Sequence, residues 1–183
     1  MVTPQFIKDR FGSKRGMLNT FIYGVKHNFG AFDKYQNIQL SKVRRLIFIC
    51  SGNICRSPLA EYVAKKNGVE AISFGLHCRG GDAADIRAIN YGKTINLDLS
   101  THVTQNIAQY QPKEGDLLVG MEPKHADELE QIFNGKVSIT LAGLWLHKKQ
   151  SYLHDPYGSG SIFFNYCEDQ VVRAVESLAK KIN

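Results

Sequence analysis

Leu46-Ile47-Phe48-Ile49-Cys50 is a short, unbroken apolar run, and Ser51-Gly52-Asn53-Ile54-Cys55-Arg56-Ser57-Pro58 follows it directly. The run suits a strand buried on both faces. Ser51-Gly52-Asn53 breaks it, and a helix starts near Ser57-Pro58, with Leu59, Tyr62 and Val63 on its inner face and Asn67-Gly68 at its end. Buried strand, tight loop and helix together open a parallel α/β unit.

The alternation continues downstream. Ala71-Ile72-Ser73-Phe74 reads as a second strand, and residues 83–92 and about 103–110 read as helices. Asp116 to Met121 is a third strand, followed by a helix through Leu129 and Phe133. Val137-Ser138-Ile139-Thr140 is a fourth. A long loop runs to about Ser161, and the last helix uses Val171, Val172, Val175 and Leu178. This order predicts a four-stranded parallel sheet with helices on both faces. Ligands in such sheets bind beyond the carboxyl ends of the strands, where Cys50 falls.

The loop carries the chemistry. Cys50, five residues, Arg56 and then the hydroxyl of Ser57 sit between strand and helix. A five-residue loop can turn successive backbone N–H groups toward one point, making an anion cradle. The helix N-terminus adds free donors and the positive end of its dipole. Gly52 and Asn53 tolerate the left-handed backbone that such a loop requires. Arg56 offers a planar fork that matches two phosphate oxygens. In that field the Cys50 thiol is expected to ionise well below its free value of about 8.5 and act as nucleophile. Ser57 would steady the thiolate. A Walker-type nucleotide loop is excluded, because no Gly-Lys-Ser/Thr follows.

A phosphate ester also needs its leaving oxygen protonated, which calls for an acid on another loop. His154-Asp155-Pro156-Tyr157-Gly158 supplies a candidate in Asp155. Pro156 stiffens the loop, and Tyr157 offers a ring to flank an aryl group.

The chain's 183 residues and 43% hydrophobic content suit one soluble domain with an appended segment. No apolar run is long enough to span a membrane, and no signal-peptide layout opens the chain. Four cysteines in a chain of this length do not read as a disulfide framework, so a reducing cytoplasm is expected. The net charge of +6 is concentrated: residues 1–45 carry nine Lys/Arg against Asp9 and Asp33, leaving the remainder near neutral at −1. Residues 1–42 are therefore read as a basic extension and residues 43–183 as the catalytic domain. In the extension, Thr3-Pro4 starts a helix, and Met17, Leu18, Phe21, Ile22, Val25 and Phe29 form one helical stripe ended by Gly30. The stripe is expected to bury itself on the body, on a second subunit as a homodimer, or on a membrane surface. Packing on protein is the favoured expectation, because Phe32 and Tyr35 continue the aromatic pattern.

With the loop and Asp155-Pro156-Tyr157 in view, residues 43–183 resemble the low-molecular-weight protein tyrosine phosphatases. Within that family, Ser73-Phe74-Gly75-Leu76, Met121-Glu122 and Trp145 resemble the bacterial enzymes of capsule and exopolysaccharide export. The resemblance implies Cys50 as nucleophile, Arg56 as phosphate clamp and Asp155 as general acid and base. It places Ser51, Gly52, Asn53, Ile54, Cys55 and Ser57 around the phosphate, with Tyr157 beside the aryl group. Asn53, Ser57, Ser73 and His102 match the polar network that holds the loop, and Cys55 matches the cysteine that can trap Cys50 in a protective disulfide. The implied partners are a phosphotyrosine protein and, by that likeness, a tyrosine autokinase; nucleic acid is not expected. Three features depart from the family. His77-Cys78-Arg79-Gly80 lacks a rim aromatic, Thr104-Gln105 replaces a frequent Ala-Arg, and the extension has no counterpart.

Two other functions use the same loop. An arsenate reductase would need a further cysteine pair, for which only Cys78 and the distant Cys167 remain. A non-catalytic phosphotyrosine-binding module would not need Cys50, Arg56 and Asp155 together. The six histidines show no ligand spacing such as His-x3-His, so neither metal nor cofactor is expected.

Overall fold

The computed structural model describes residues 3–183. Four parallel strands, β1 (Arg45–Cys50), β2 (Glu70–Gly75), β3 (Asp116–Gly120) and β4 (Ser138–Leu141), form one sheet in the order β2-β1-β3-β4. Cys50 pairs with Gly75 and Ile49 with Gly120, which brings the carboxyl ends of β1, β2 and β3 to one edge of the sheet.

The unbroken apolar run of β1 is explained by burial on both sides. Leu46, Phe48 and Cys50 join Leu117 and Val119 in one core, while Ile47, Ile49 and Leu118 face a second. The first core is closed by α3 (Arg56–Lys66), α4 (Ile86–Thr94) and α6 (Ser161–Ile182). Along α6, Phe164, Val171, Val175 and Leu178 recur at near-helical spacing on the buried stripe. The second core is closed by α5 (Pro123–Phe133), through Ala126, Leu129 and Phe133. Pro123 opens α5, where a missing N–H costs nothing, and Asn134 ends it in the left-handed region at φ 47°.

Two sequence expectations are corrected. Residues 103–110 are not a helix: Val103 bridges Ala83, Asn106 bridges Gly75, and only Ile107–Gln109 make a single 3-10 turn. Partners from distant segments take the backbone groups that a helix would have used. The second correction concerns the extension. It forms α1 (Gln5–Phe11) and α2 (Lys14–Asn28), and the predicted stripe on α2 is not the buried face. Phe21 is 71% exposed and Phe29 is 86% exposed, with Met17, Leu18, Ile22 and Val25 also open. The face turned to the body is small and polar, with Gly16, Asn19 and Tyr23. Asn19 Nδ2 donates to Tyr152 Oη at 3.2 Å, and Tyr23 stacks on Tyr152 with ring centres 5.2 Å apart. Apolar burial by the extension comes instead from Phe32 and Tyr35, which enter the second core, and from Ile7 on α1. Tyr35 O accepts from Thr140 Oγ1 of β4 at 2.7 Å.

Candidate active site

The loop between β1 and α3 lies directly on β2. A Cβ at Gly75 would stand 3.0 Å from the Asn53 nitrogen and 2.7 Å from Cys78 Sγ, so only glycine lets the two segments approach. Asn53 adopts φ 54°, the left-handed turn expected there. Its side chain is pinned on three sides: Nδ2 donates to Ser57 Oγ and to Ser73 Oγ, both at 2.9 Å, and Oδ1 accepts from the Gln105 N–H at 2.8 Å. Its carbonyl accepts from His102 Nε2 at 2.9 Å, and Ser73 Oγ donates onward to Glu61 Oε2 at 2.7 Å. Burial lowers the pKa of His102, which keeps the ring neutral, with its proton on the nitrogen that faces Asn53.

This network fixes the thiol. Cys50 Sγ lies 3.0 Å from Ser57 Oγ, and the Asn53 N–H donates to it at 3.3 Å. Because Ser57 Oγ already accepts from Asn53, its own proton is free to point at the sulfur. Cys50, Asn53, Arg56 and Ser57 are all buried, so the site is a rigid floor and not a surface loop.

Arg56 is the largest fully buried side chain. Nη1 donates to Glu122 Oε1 at 2.9 Å and to the Leu153 carbonyl at 2.8 Å, and Nη2 meets Asp155 Oδ2 at 3.1 Å. Burial works against its charge, but Asp155 and Glu122 outweigh that and hold the guanidinium protonated. Nε is buried without a protein partner among the described residues, a donor suited to an oxyanion.

Cys50, Ser51, Gly52, Ile54, Cys55, Arg56, Asp155 and Tyr157 line one cavity of about 270 Å³, together with His77. Asp155 is anchored by Arg56 and by the Tyr157 N–H, which donates to Oδ1 at 3.1 Å. Tyr157 stands open at the rim, and the 77–80 segment contributes no Phe, Tyr or Trp beside it. His77 reaches Glu128 Oε2 at 3.1 Å instead. Ser73 and His102 bond Asn53 and do not line the cavity.

Sequence reasoning missed four buried polar residues. Glu122 backs Arg56, Glu61 ends the Ser73 chain, and Glu168 is wholly buried on α6. His125 accepts from the Met121 N–H at 3.3 Å and has Nε2 3.2 Å from Ser51 Oγ. Burial drives the His125 pKa well down, so the ring is neutral. Glu122 stands out in the sequence only through the likeness of Met121-Glu122 to a family pair, and nothing in the spacing of the other three marks them out.

Known proteins resemble this chain in sequence and in fold. A family model described as low molecular weight phosphotyrosine protein phosphatase matches residues 45–183. The low molecular weight protein-tyrosine-phosphatase Etp of Escherichia coli is 29% identical over 147 residues, covering 78% of this chain and 97% of that protein. Low molecular weight phosphotyrosine protein phosphatase 1 of Drosophila melanogaster is 31% identical over 151 residues, covering 76% of this chain and 97% of that one. Among solved structures, Vibrio vulnificus Wzb in complex with benzylphosphonate superposes with a TM-score of 0.66 at 29% identity, over 76% of this chain and 99% of that one. The match stops short of the N-terminal extension.

Proposed function

The chain belongs to the low molecular weight phosphotyrosine protein phosphatase family, and from that premise we propose that it hydrolyses phosphotyrosine in proteins, and small aryl phosphates, through a cysteinyl-phosphate intermediate on Cys50. The observation that carries the reading is the meeting of Cys50, Arg56 and Asp155 at one cavity, with Arg56 Nη2 3.1 Å from Asp155 Oδ2 and Cys50 Sγ held 3.0 Å from Ser57 Oγ.

In this mechanism the loop amides and Arg56 hold the phosphoryl oxygens while Cys50 Sγ attacks phosphorus in line with the leaving oxygen. Asp155, above the same cavity, gives its proton to the departing phenolic oxygen. It then takes a proton from the water that attacks the phosphocysteine, and Ser57 steadies the thiolate as it leaves. Tyr157 and Ile54 flank the substrate ring. The substrate we favour is a bacterial tyrosine autokinase of polysaccharide export, by the likeness noted in the sequence. Cys78, donating to Gln105 O, and Cys167, buried on α6 and donating to His154 O, are engaged on separate elements, which favours hydrolysis over arsenate reduction.

Steady-state hydrolysis of an aryl phosphate by wild type and Cys50→Ser tests the proposal. The variant should lose turnover yet still bind vanadate, because Arg56 and the loop amides remain. Substantial activity in Cys50→Ser would sink the covalent route.

A further inference from the structure

The N-terminal extension lies outside the family match, yet it touches the residue next to the candidate acid. Ser13 Oγ is 3.1 Å from His154 Nε2, and Tyr152 Oη is 2.5 Å from His154 Nδ1. Tyr152 Oη in turn accepts from Asn19 Nδ2, and Ser13 Oγ accepts from the Gly16 N–H at 2.9 Å. The polarity of the chain is consistent. Burial pushes the Tyr152 hydroxyl up to about 12 and lowers the His154 imidazole, so the tyrosine keeps its proton and the ring stays neutral. Tyr152 therefore donates to Nδ1, and the Nε2–H of His154 donates to Ser13.

Packing reinforces the hydrogen bonds. A Cβ at Gly16 would stand 2.7 Å from His154 Cδ2 and collide with the Phe11 carbonyl, so α2 lies on the imidazole with no side chain between them. Phe163 closes the other side of the ring, with centroids 5.7 Å apart. His154 is thus gripped by α2 through its ring and by Cys167 through its carbonyl. Asp155, one residue on, is partly exposed and, among the described residues, has only Arg56 and the Tyr157 N–H on its carboxylate.

We infer that the extension is a positioning element for the acid loop, in which Ser13, Gly16 and Asn19 act through Tyr152 and His154 to set where Asp155 delivers its proton. The inference rests on the reading of Asp155 as general acid. Its consequence is selective: loosening the grip should impair only the step that needs a proton, and should leave the anion cradle intact.

The experiment uses the full chain with Ser13→Ala, Gly16→Ala and Ser13→Thr, beside Asp155→Asn. It measures kcat/KM for an aryl phosphate with a basic leaving group and for one whose leaving group departs unprotonated, with inhibition by vanadate as the control for the cradle. Asp155→Asn should lose about 10²–10⁴-fold on the first substrate and far less on the second. Gly16→Ala and Ser13→Ala should show the same selectivity at about tenfold, since a misplaced donor costs less than an absent one. Ser13→Thr, which keeps the oxygen, should restore the wild-type ratio, and vanadate inhibition should hold throughout. If Asp155→Asn is selective while the extension variants slow both substrates equally, or slow neither, the positioning role is wrong. If Asp155→Asn itself lacks selectivity, the acid assignment fails, and the positioning role with it.

Discussion

Glu122 accepts a 2.9 Å hydrogen bond from Arg56 while both side chains are almost wholly buried, so the candidate phosphate clamp is neutralised from behind by the protein. Removing one member of such a pair leaves an uncompensated buried charge, which typically costs about 3–5 kcal/mol. Glu122→Ala should therefore lower unfolding free energy by about that amount, and Glu122→Gln by less, because its amide oxygen can still accept the bond. Chemical denaturation of the three proteins checks this. A Glu122→Ala variant as stable as wild type would show that Leu153 O and Asp155 suffice to hold Arg56.

Cys55 shares the loop and the cavity lining with Cys50, and burial pushes the Cys55 thiol far up, so it rests protonated. Peroxide should convert Cys50 to a sulfenic acid, which the Cys55 thiol can displace, forming a disulfide and releasing water. Oxidised wild type should regain activity with a thiol reductant, and Cys55→Ser should not. Peptide mapping that finds no Cys50–Cys55 link after oxidation would rule this route out.

Glu168 has neither carboxyl oxygen hydrogen-bonded among the described residues, and burial pushes its carboxyl up to about 8, against a smaller opposing pull from Arg56. The unfolded value is about 4.3, so the folded chain holds the proton more tightly. Stability from the neutral form is complete below the unfolded pKa and is lost as pH rises through the folded one. Between about pH 5 and about pH 9, wild type should lose a few kcal/mol relative to Glu168→Gln. Denaturation curves that stay parallel across that range would place the ionisable group elsewhere.

Phe21 and Phe29 are open on α2, whereas Phe32 is 6% exposed in the second core. Phe21→Ser and Phe29→Ser should change unfolding free energy by no more than about 0.5 kcal/mol. Phe32→Ala should cost about 3–5 kcal/mol. If Phe21→Ser proves as damaging as Phe32→Ala, that face of α2 is covered in solution.

The difference between Phe21 and Phe32 also marks how far the sequence could be read. Periodicity located each strand and the helices α3, α5 and α6 to within a few residues, because their apolar sides meet partners along their whole length. The Cys50–Ser57 segment was legible because one loop supplies both the candidate nucleophile and the candidate clamp. Periodicity failed where a long-range contact overrode it. Gly16 and Asn19 orient α2 through Tyr152 and His154, far along the chain, so the more apolar side was not the buried one. Val103 and Asn106 were drawn into bridges with Ala83 and Gly75. Glu122, His125 and Glu168 carry no spacing signature, since their significance lies in what is buried beside them.

Chain order has a consequence for synthesis. Arg56 and the carbonyl that holds it, Leu153 O, are 97 residues apart, and β1 is the first strand made although it ends at the centre of the sheet. The reactive loop therefore leaves the ribosome long before Glu122, Leu153 and Asp155 do. Until they arrive, a guanidinium driven into the interior would lack both of its counter-charges, a cost that a half-formed sheet does not offset. Nascent or truncated chains ending before Leu153 carry the thiol and the cradle sequence without an enzyme. Arg56 gains its full set of partners only when the chain has grown past Asp155.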